Sequence, residues 1–226
     1  MPSLRNLATD LWIADAPASK AGFEFGARMT VVRLPAGGLF LHSPVTLTPE
    51  LRAELDALGP VEYLISPSGM HYEDLPEHAR AYPRARVYAV PGSLPKLKAL
   101  APELLRDEPE PGWAEVLDQH VFRGSRLYDE VVFYHRPTRT LILTDLCFNI
   151  PADRSWSTRL WARALGVLGK VSRSRSFDLS VRDRAAAQAS LRRIESWDFD
   201  RLLLTHGDWL PTGGKEAFRR AFADYL

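Results

Sequence analysis

Thr140-Leu-Ile-Leu-Thr-Asp-Leu-Cys-Phe-Asn149 is a largely apolar run broken by one ionisable side chain, Asp145, where a buried strand should end. The same shape recurs in Arg201-Leu-Leu-Leu-Thr-His206, with Thr-His in place of Thr-Asp. Apolar runs of this length, bounded by turn residues, read as strands covered on both faces. Ligands of an open α/β sheet gather outside the carboxyl ends of its strands. Asp145 and His206 are therefore the first candidates for chemistry.

Outward from these stretches the chain resolves into strands and helices. Val131–His135 pairs with Thr140–Thr144 as a hairpin across Arg136-Pro137-Thr138-Arg139, and Met29–Leu34 pairs with Gly38–His42 across Pro35-Ala-Gly-Gly38. Thr48 as N-cap and Pro49 at the first helical position open a helix that Gly59-Pro60 stops after Leu58. Val61–Ile65 is the next strand and runs into Ser66-Pro-Ser-Gly-Met-His71. A short helix over Glu73–Tyr82, a strand over Arg86–Val90 and a helical, then irregular Gly92–Leu100 follow. Asp10–Asp15 reads as a short edge strand, Gln119–Phe122 as a short strand, and Ala16–Gly26 and Pro102–Trp113 as loops. Helical spacing covers Ser155–Lys170, Val181–Trp197 and Gly214–Leu226; the first carries Trp156, Leu160, Trp161, Ala164, Leu165 and Leu168 on one stripe. The order hairpin, helix, strand thus occurs twice. If the halves pack sheet to sheet with helices outside, His42, His71, Asp145 and His206 share one rim.

Bulk properties narrow the class. A chain of 226 residues, 46% hydrophobic, can bury a sizeable or two-layered core. With 29 basic and 28 acidic residues the net charge is +1, so no global field attracts nucleic acid. Cys147 is the only cysteine, which excludes an internal disulfide framework and fits a reducing compartment. Met-Pro-Ser-Leu-Arg-Asn-Leu at the N-terminus lacks the apolar core and cleavage site of a signal peptide. No window approaches the roughly 20 apolar residues of a membrane helix. The expectation is a cytoplasmic protein without stable membrane insertion, acting on a small molecule, anionic ones included.

Imidazoles with a carboxylate suit zinc, iron(II) or manganese. Three protein ligands leave a position for water, whose pKa the ion lowers toward neutrality. Each residue alone has a plainer reading. Asp145 could form a turn or cap a helix, His206 could be a satisfied loop histidine, and His71 could start a helix before Glu73-Asp74. His42, in Leu-His-Ser-Pro, could donate to a backbone carbonyl. His78, His120 and His135 read as surface or hairpin residues. What lifts the four above these readings is that all fall at strand ends.

The order of elements, Thr140-Leu-Ile-Leu-Thr-Asp-Leu and Leu204-Thr-His-Gly-Asp-Trp-Leu-Pro-Thr-Gly-Gly-Lys-Glu-Ala resemble the metallo-β-lactamase superfamily. Leu41-His-Ser-Pro-Val-Thr-Leu-Thr-Pro and Asp129-Glu-Val-Val-Phe-Tyr-His-Arg-Pro-Thr-Arg-Thr-Leu-Ile-Leu-Thr-Asp resemble an uncharacterised bacterial branch, DUF4336. The resemblance runs from about Leu11 onward and implies one α/β domain over 1–226, a four-layer αββα sandwich with metal at one edge. By analogy Asp145 matches the bridging aspartate and His206 the last histidine ligand. The family's His-x-His-x-Asp-His signature, however, reads Pro67-Ser68-Gly69-Met70-His71-Tyr72 here. Pro67 and Gly69 replace two histidines, His71 falls on the aspartate, Tyr72 on the next histidine, and Arg126 on the middle histidine ligand. The first metal position loses its own histidines; the second keeps His71, Asp145 and His206, with His42 or Tyr72 near. Arg126 could stand in for the missing cation as a guanidinium clamp beside Asp145, or simply face solvent.

Arg154, Arg159, Arg163, Lys170, Arg173 and Arg175 share one segment with Asp153 as its only acid. Basic amphipathic helices lie on membranes or bind anionic partners; the reading taken over a membrane role is an apolar stripe on the core and a solvated charged face, with the helix roofing the pocket. Two functions follow. One is a hydrolase of an ester, thioester or phosphoester with one divalent ion, zinc ahead of iron or manganese, where Asp145, Arg126 and Tyr72 serve the reaction. The other is a metal-free, inactive relative that binds an anionic small molecule or protein through Arg126 and the basic helix.

Overall fold

The computed structural model describes residues 2–20 and 22–226; Met1 of the N-terminal stretch and Ala21 of the expected first loop lie outside it. Strands β1 (Leu4–Ala8) and β2 (Leu11–Ala16) come first, followed by a small ribbon, β3 (Ser19–Lys20) and β4 (Phe23–Glu24), in the segment read as a loop. The first half continues with β5 (Ala27–Arg33), β6 (Leu39–His42), α1 (Pro49–Leu58), β7 (Val61–Ser66), α2 (Leu75–Ala81), β8 (Arg86–Ala89), α3 (Leu94–Leu97) and β9 (Glu103–Leu104). The second half holds β10 (Leu117–Val121), β11 (Val131–His135), β12 (Thr140–Leu143), α4 (Trp156–Leu165), α5 (Arg175–Ser180), α6 (Arg184–Glu195), β13 (Arg201–Leu204) and α7 (Gly214–Ala221).

One sheet has the order β1-β2-β5-β6-β7-β8-β9 and the other β10-β11-β12-β13. Side chains alternate across each strand, which sorts the core into three strata. Between the sheets, Ile13, Val32, Phe40, Ile65 and Tyr88 meet Trp113, Phe133, Ile142 and Leu203. On the outer face of the larger sheet, Val31, Leu41, Leu64 and Val87 pack on Leu51 and Leu55 of α1, Leu75 of α2 and Leu97 of α3. On the outer face of the smaller sheet, Val132, Leu141, Leu143 and Leu202 pack on Phe177, Leu191, Ile194, Phe218 and Phe222. The expected four-layer αββα sandwich is the observed one.

Several local expectations are corrected. β2 is not an edge, because β1 pairs outside it. Pro102–Trp113 is not a plain surface loop: β9 joins the larger sheet, and Trp113 is fully buried between the sheets. The helix expected over Ser155–Lys170 ends at Gly166, whose positive φ of 79° caps it. The helix expected over Val181–Trp197 is α6, begun a few residues later by Asp183 as its N-cap, and α5, capped by Ser174, adds a short helix ahead of it where none was expected. His78 and His135 are buried: His78 faces inward from α2 with Nε2 2.8 Å from the Val45 carbonyl, and His135 Nδ1 lies 2.7 Å from Thr138 Oγ1.

Trp113 ties the inter-sheet stratum together. Its ring meets Phe40, Tyr63 and Tyr88 edge-on at 5.3, 5.0 and 4.9 Å, and its indole N–H donates to Gln119 Oε1 at 2.8 Å. Trp113→Ala is expected to cost about 3–5 kcal/mol, as large buried aromatics do. A shift of the urea midpoint with unchanged slope checks this, and a loss below about 1 kcal/mol would remove Trp113 from that role.

Candidate metal centre

β12 and β13 run parallel and in register, with Leu143 beside Leu204. Asp145 and His206, each two residues further on, therefore leave the smaller sheet side by side. β6 and β7 are also parallel, with His42 beside Ile65, so the larger sheet delivers the loops after His42 and Ser66 to the same rim. Across this rim His71, Asp145 and His206 each offer one ligating atom, all within 4.8 Å of one another.

Every atom of this cluster is held from behind. Glu130, fully buried just before β11, accepts the N–H groups of Thr144 and Asp145 at 2.7 Å and of Leu146 at 2.9 Å. That fixes the turn carrying Asp145. Ser68 donates to Asp145 Oδ2 at 2.5 Å, leaving Oδ1 toward His71 Nε2 at 3.3 Å and His206 Nε2 at 3.5 Å. His71 Nδ1 lies 2.8 Å from Ser43 Oγ. His206 Nδ1 lies 2.7 Å from the Gly26 carbonyl. Phe148 stacks on the His206 ring at 5.4 Å, and Phe25 meets it edge-on at 5.1 Å.

Tautomer chemistry makes the arrangement specific. The Gly26 carbonyl only accepts, so His206 Nδ1 carries a proton. Neutral His206 then points a lone pair at the Asp145 carboxylate, an arrangement that requires a positive charge between them, either a proton or a cation. Ser43 can donate or accept, so it suits either tautomer of His71. The carboxylate-to-imidazole separations of 3.3 and 3.5 Å match the ligand–ligand edge, about 3.4 Å, of a tetrahedron with bonds of about 2.1 Å. The three side chains therefore fit a divalent ion.

The electrostatics point the same way. Burial would raise Asp145, but His71 and His206 outweigh it and hold the carboxyl well below the usual carboxylate range. Burial opposes charge on His71, yet Asp145, with help from Glu130, raises the imidazole above its ordinary value. Burial and then Asp145 push Glu130 up to about 7, against the pull of its amide donors. Two buried carboxylates facing two imidazoles form a pocket short of positive charge.

The other proposed site residues are placed elsewhere. Arg126 is exposed, with its backbone N–H bonded to the Ser180 carbonyl, and forms no ion pair with Asp145 among the described residues. The guanidinium clamp is thus corrected; histidines and Ser68 occupy that side of the carboxylate. Tyr72 carries its ring under Lys96 Nζ, 4.1 Å from the centroid, and packs against the helix-covered face of the larger sheet. His42 is outside the cluster. The strand's period of two sends it the same way as Phe40, into the inter-sheet layer, where it meets Phe133 edge-on at 5.5 Å. Sequence reading missed Ser43, Ser68 and Glu130. The one signal was Asp129-Glu130 directly ahead of an apolar run, an acid at a strand boundary like Asp145.

Both ring nitrogens of His42 are buried without a hydrogen-bond partner among the described residues. Burial, then the charge of His71, lowers its pKa from 6.5 to about 3. The folded value is the lower one, so the unfolded chain takes up a proton that the folded chain refuses. Stability therefore falls as pH drops from 6.5 toward 3. His42→Leu is expected to flatten that part of the profile and leave ion affinity unchanged. Thermal melts across the range test it; an unaltered acid slope, or lost affinity, goes against the assignment.

Comparison with known proteins places this geometry. A family model described as Domain of unknown function (DUF4336) matches residues 10–175. No curated protein matches by sequence. Among solved structures, a metallo-beta-lactamase from Pontibacter korlensis is similar at 13% identity and TM-score 0.66, covering 100% of this chain and 99% of its own. The mono-zinc form of the metallo-beta-lactamase FIM-1 from Pseudomonas aeruginosa aligns at 9% identity and TM-score 0.64, over 100% and 96% of the two chains. The metal-soaked Flv1 flavodiiron core from Synechocystis aligns at 12% identity and TM-score 0.67, over 99% of this chain and 60% of that one. At these identities the likeness is one of fold.

Proposed function

This chain belongs to the DUF4336 family and shares the fold of metallo-β-lactamases, and from that premise we propose that it is a metal-dependent hydrolase with a single ion. His71, Asp145 and His206 would hold the ion. The observation that carries the reading is the convergence of their three ligating atoms, with the His206 tautomer fixed by the Gly26 carbonyl. A divalent ion there supplies Lewis acidity and lowers the pKa of water toward neutrality.

The protein's own groups do the rest. Ser68 keeps Asp145 Oδ2 engaged, so the carboxylate presents Oδ1 alone. Ser43 holds the proton balance at His71 Nδ1. Phe148 stacks on His206 and Phe25 meets it at a right angle, limiting water at the imidazole and offering apolar contact to a substrate. The substrate class is an ester, thioester or phosphoester. The rival reading, an inactive relative that binds an anion through Arg126 and the basic helix, has exposed rim arginines in its support but no partner for Asp145.

Chelator-stripped protein is expected to take up one equivalent of zinc, manganese or iron(II) and to melt several degrees higher once loaded. His71→Ala, Asp145→Asn and His206→Ala each abolish the effect. Ser43→Ala lowers affinity about 10–100-fold, as loss of an orienting partner does. Loaded protein should hydrolyse nitrophenyl ester, thioester or phosphoester probes, and stripped protein should not. Stripped protein that neither binds these ions nor changes its melting temperature sinks the proposal; binding without turnover of any probe leaves the ion site standing and removes the hydrolase.

A further inference from the structure

The apolar stripe expected to bury α4 is divided: Trp161, Leu165 and Leu168 pack on Ile150, Ala162 and Val167, while Trp156 and Leu160 face water. Trp156 is 75% and Leu160 62% exposed, while Thr158 and Ala162 fill the inward positions. Large exposed apolar side chains recur on the segments linked to α4 and to the His71 loop. Among the described residues the large exposed hydrophobics are Leu104 on β9 and Met70, Leu127, Trp156, Leu160 and Leu179, with Met70 next to His71 in sequence. Apart from β9, these segments are linked in turn. Arg175 of α5 donates to the Ala164 carbonyl of α4 at 3.1 Å. The Arg126 N–H bonds the Ser180 carbonyl of α5, and the Gly69 N–H bonds the Asp129 carbonyl, each at 3.1 Å. α4 is seated against the site itself: Trp161 stacks on Phe23 at 5.3 Å and lies 6.4 Å from Phe25, whose edge meets His206.

The charge on the α4 segment of this rim is predominantly positive. Residues 151–175 carry six basic side chains and Asp153 alone as an acid. Arg173 is consumed by Asp178 and Asp224. Arg126, Arg154, Arg159, Arg163 and Lys170 are exposed and form no ion pair among the described residues.

We propose that the exposed face of α4 and the adjoining rim dock on an anionic lipid surface, with Trp156 and Leu160 entering the interface and Arg159 and Arg163 meeting headgroups. Charge complementarity selects this occupant. A second copy of the chain would bring the same unpaired arginines face to face, which is repulsive. The apolar tips come from four separate segments with arginines between them. A fluid headgroup layer accepts that pattern without the shape complementarity a protein partner needs. Tryptophan is also the side chain that favours such a boundary, apolar on its rings and polar at its N–H. The mode proposed is peripheral, since among the described residues no helix is long and apolar enough to cross a membrane. It stands whether or not the site holds an ion.

Flotation of the full chain with vesicles tests the proposal. Wild-type protein is expected to float with vesicles of equal parts phosphatidylcholine and phosphatidylglycerol at low salt, and not with phosphatidylcholine alone. Trp156→Ser with Leu160→Ser abolishes flotation, and Arg159→Glu with Arg163→Glu weakens it roughly thirtyfold or more. All four positions are exposed, so the variants should keep the wild-type melting temperature. Wild-type protein that stays unbound at low salt overturns the proposal. So does flotation that neither pair affects, or a wild-type dimer that Trp156→Ser with Leu160→Ser dissociates, which would make the face a contact between copies.

Discussion

Three consecutive backbone N–H groups, those of Thr144, Asp145 and Leu146, end on one carboxylate, that of Glu130. Beyond the last hydrogen-bonded residue of a strand, backbone donors need partners, and an unpaired buried one costs about 1–3 kcal/mol. Glu130 meets three such needs at once and fixes the direction in which β12 releases Asp145. It does so from a fully buried position, beside a second carboxylate, which is costly for two like charges. That cost is tolerable only if positive charge collects on the far side of Asp145, where His71 and His206 stand. The buried acid and the histidine pair are thus two ends of one electrostatic arrangement.

The sandwich makes that arrangement precise in space. The smaller sheet supplies Asp145 and His206 from adjacent parallel strands, and the larger sheet supplies His71, Ser43 and the Gly26 carbonyl. Neither sheet holds a complete set. Their separation is set by the inter-sheet layer, where Phe133 meets Phe40 at 5.3 Å and His42 at 5.5 Å. Close-packed interiors resist change of even a methylene in volume. Core packing therefore fixes the spacing across the cluster, and residues remote from it bear on its geometry.

Asp145 and His206 were legible because a buried strand ending in an ionisable side chain is a local pattern of residue types. Strand boundaries around them were legible for the same reason, as was α1, with Thr48 and Pro49 marking its start. What escaped was relational. Ser43 and Ser68 are ordinary in sequence and acquire meaning only from the imidazole and carboxylate they face. His42 looked equivalent to His71 because both follow strands, but its place in the alternation turns it into the core. α4 shows the limit of periodicity: the stripe of Trp156, Leu160 and Ala164 is real, yet a period does not say which side meets protein. Thr158 faces inward because its hydroxyl accepts the Glu24 N–H at 2.9 Å, a contact between segments far apart in the chain.

The rewritten histidine motif has a structural counterpart. Gly69 packs beside Gly92, and the Pro67 carbonyl accepts the Val131 N–H. Between these two residues Ser68 reaches Asp145 Oδ2, the oxygen a bridging carboxylate would offer to a second ion. A hydroxyl proton donated to Oδ2 and ligands gathered around Oδ1 divide the carboxylate into a structural half and a coordinating half. In the proposed site the count of one ion follows from that division: loss of the histidines removes the ligands of the first position, and Ser68 takes the oxygen that would have served it.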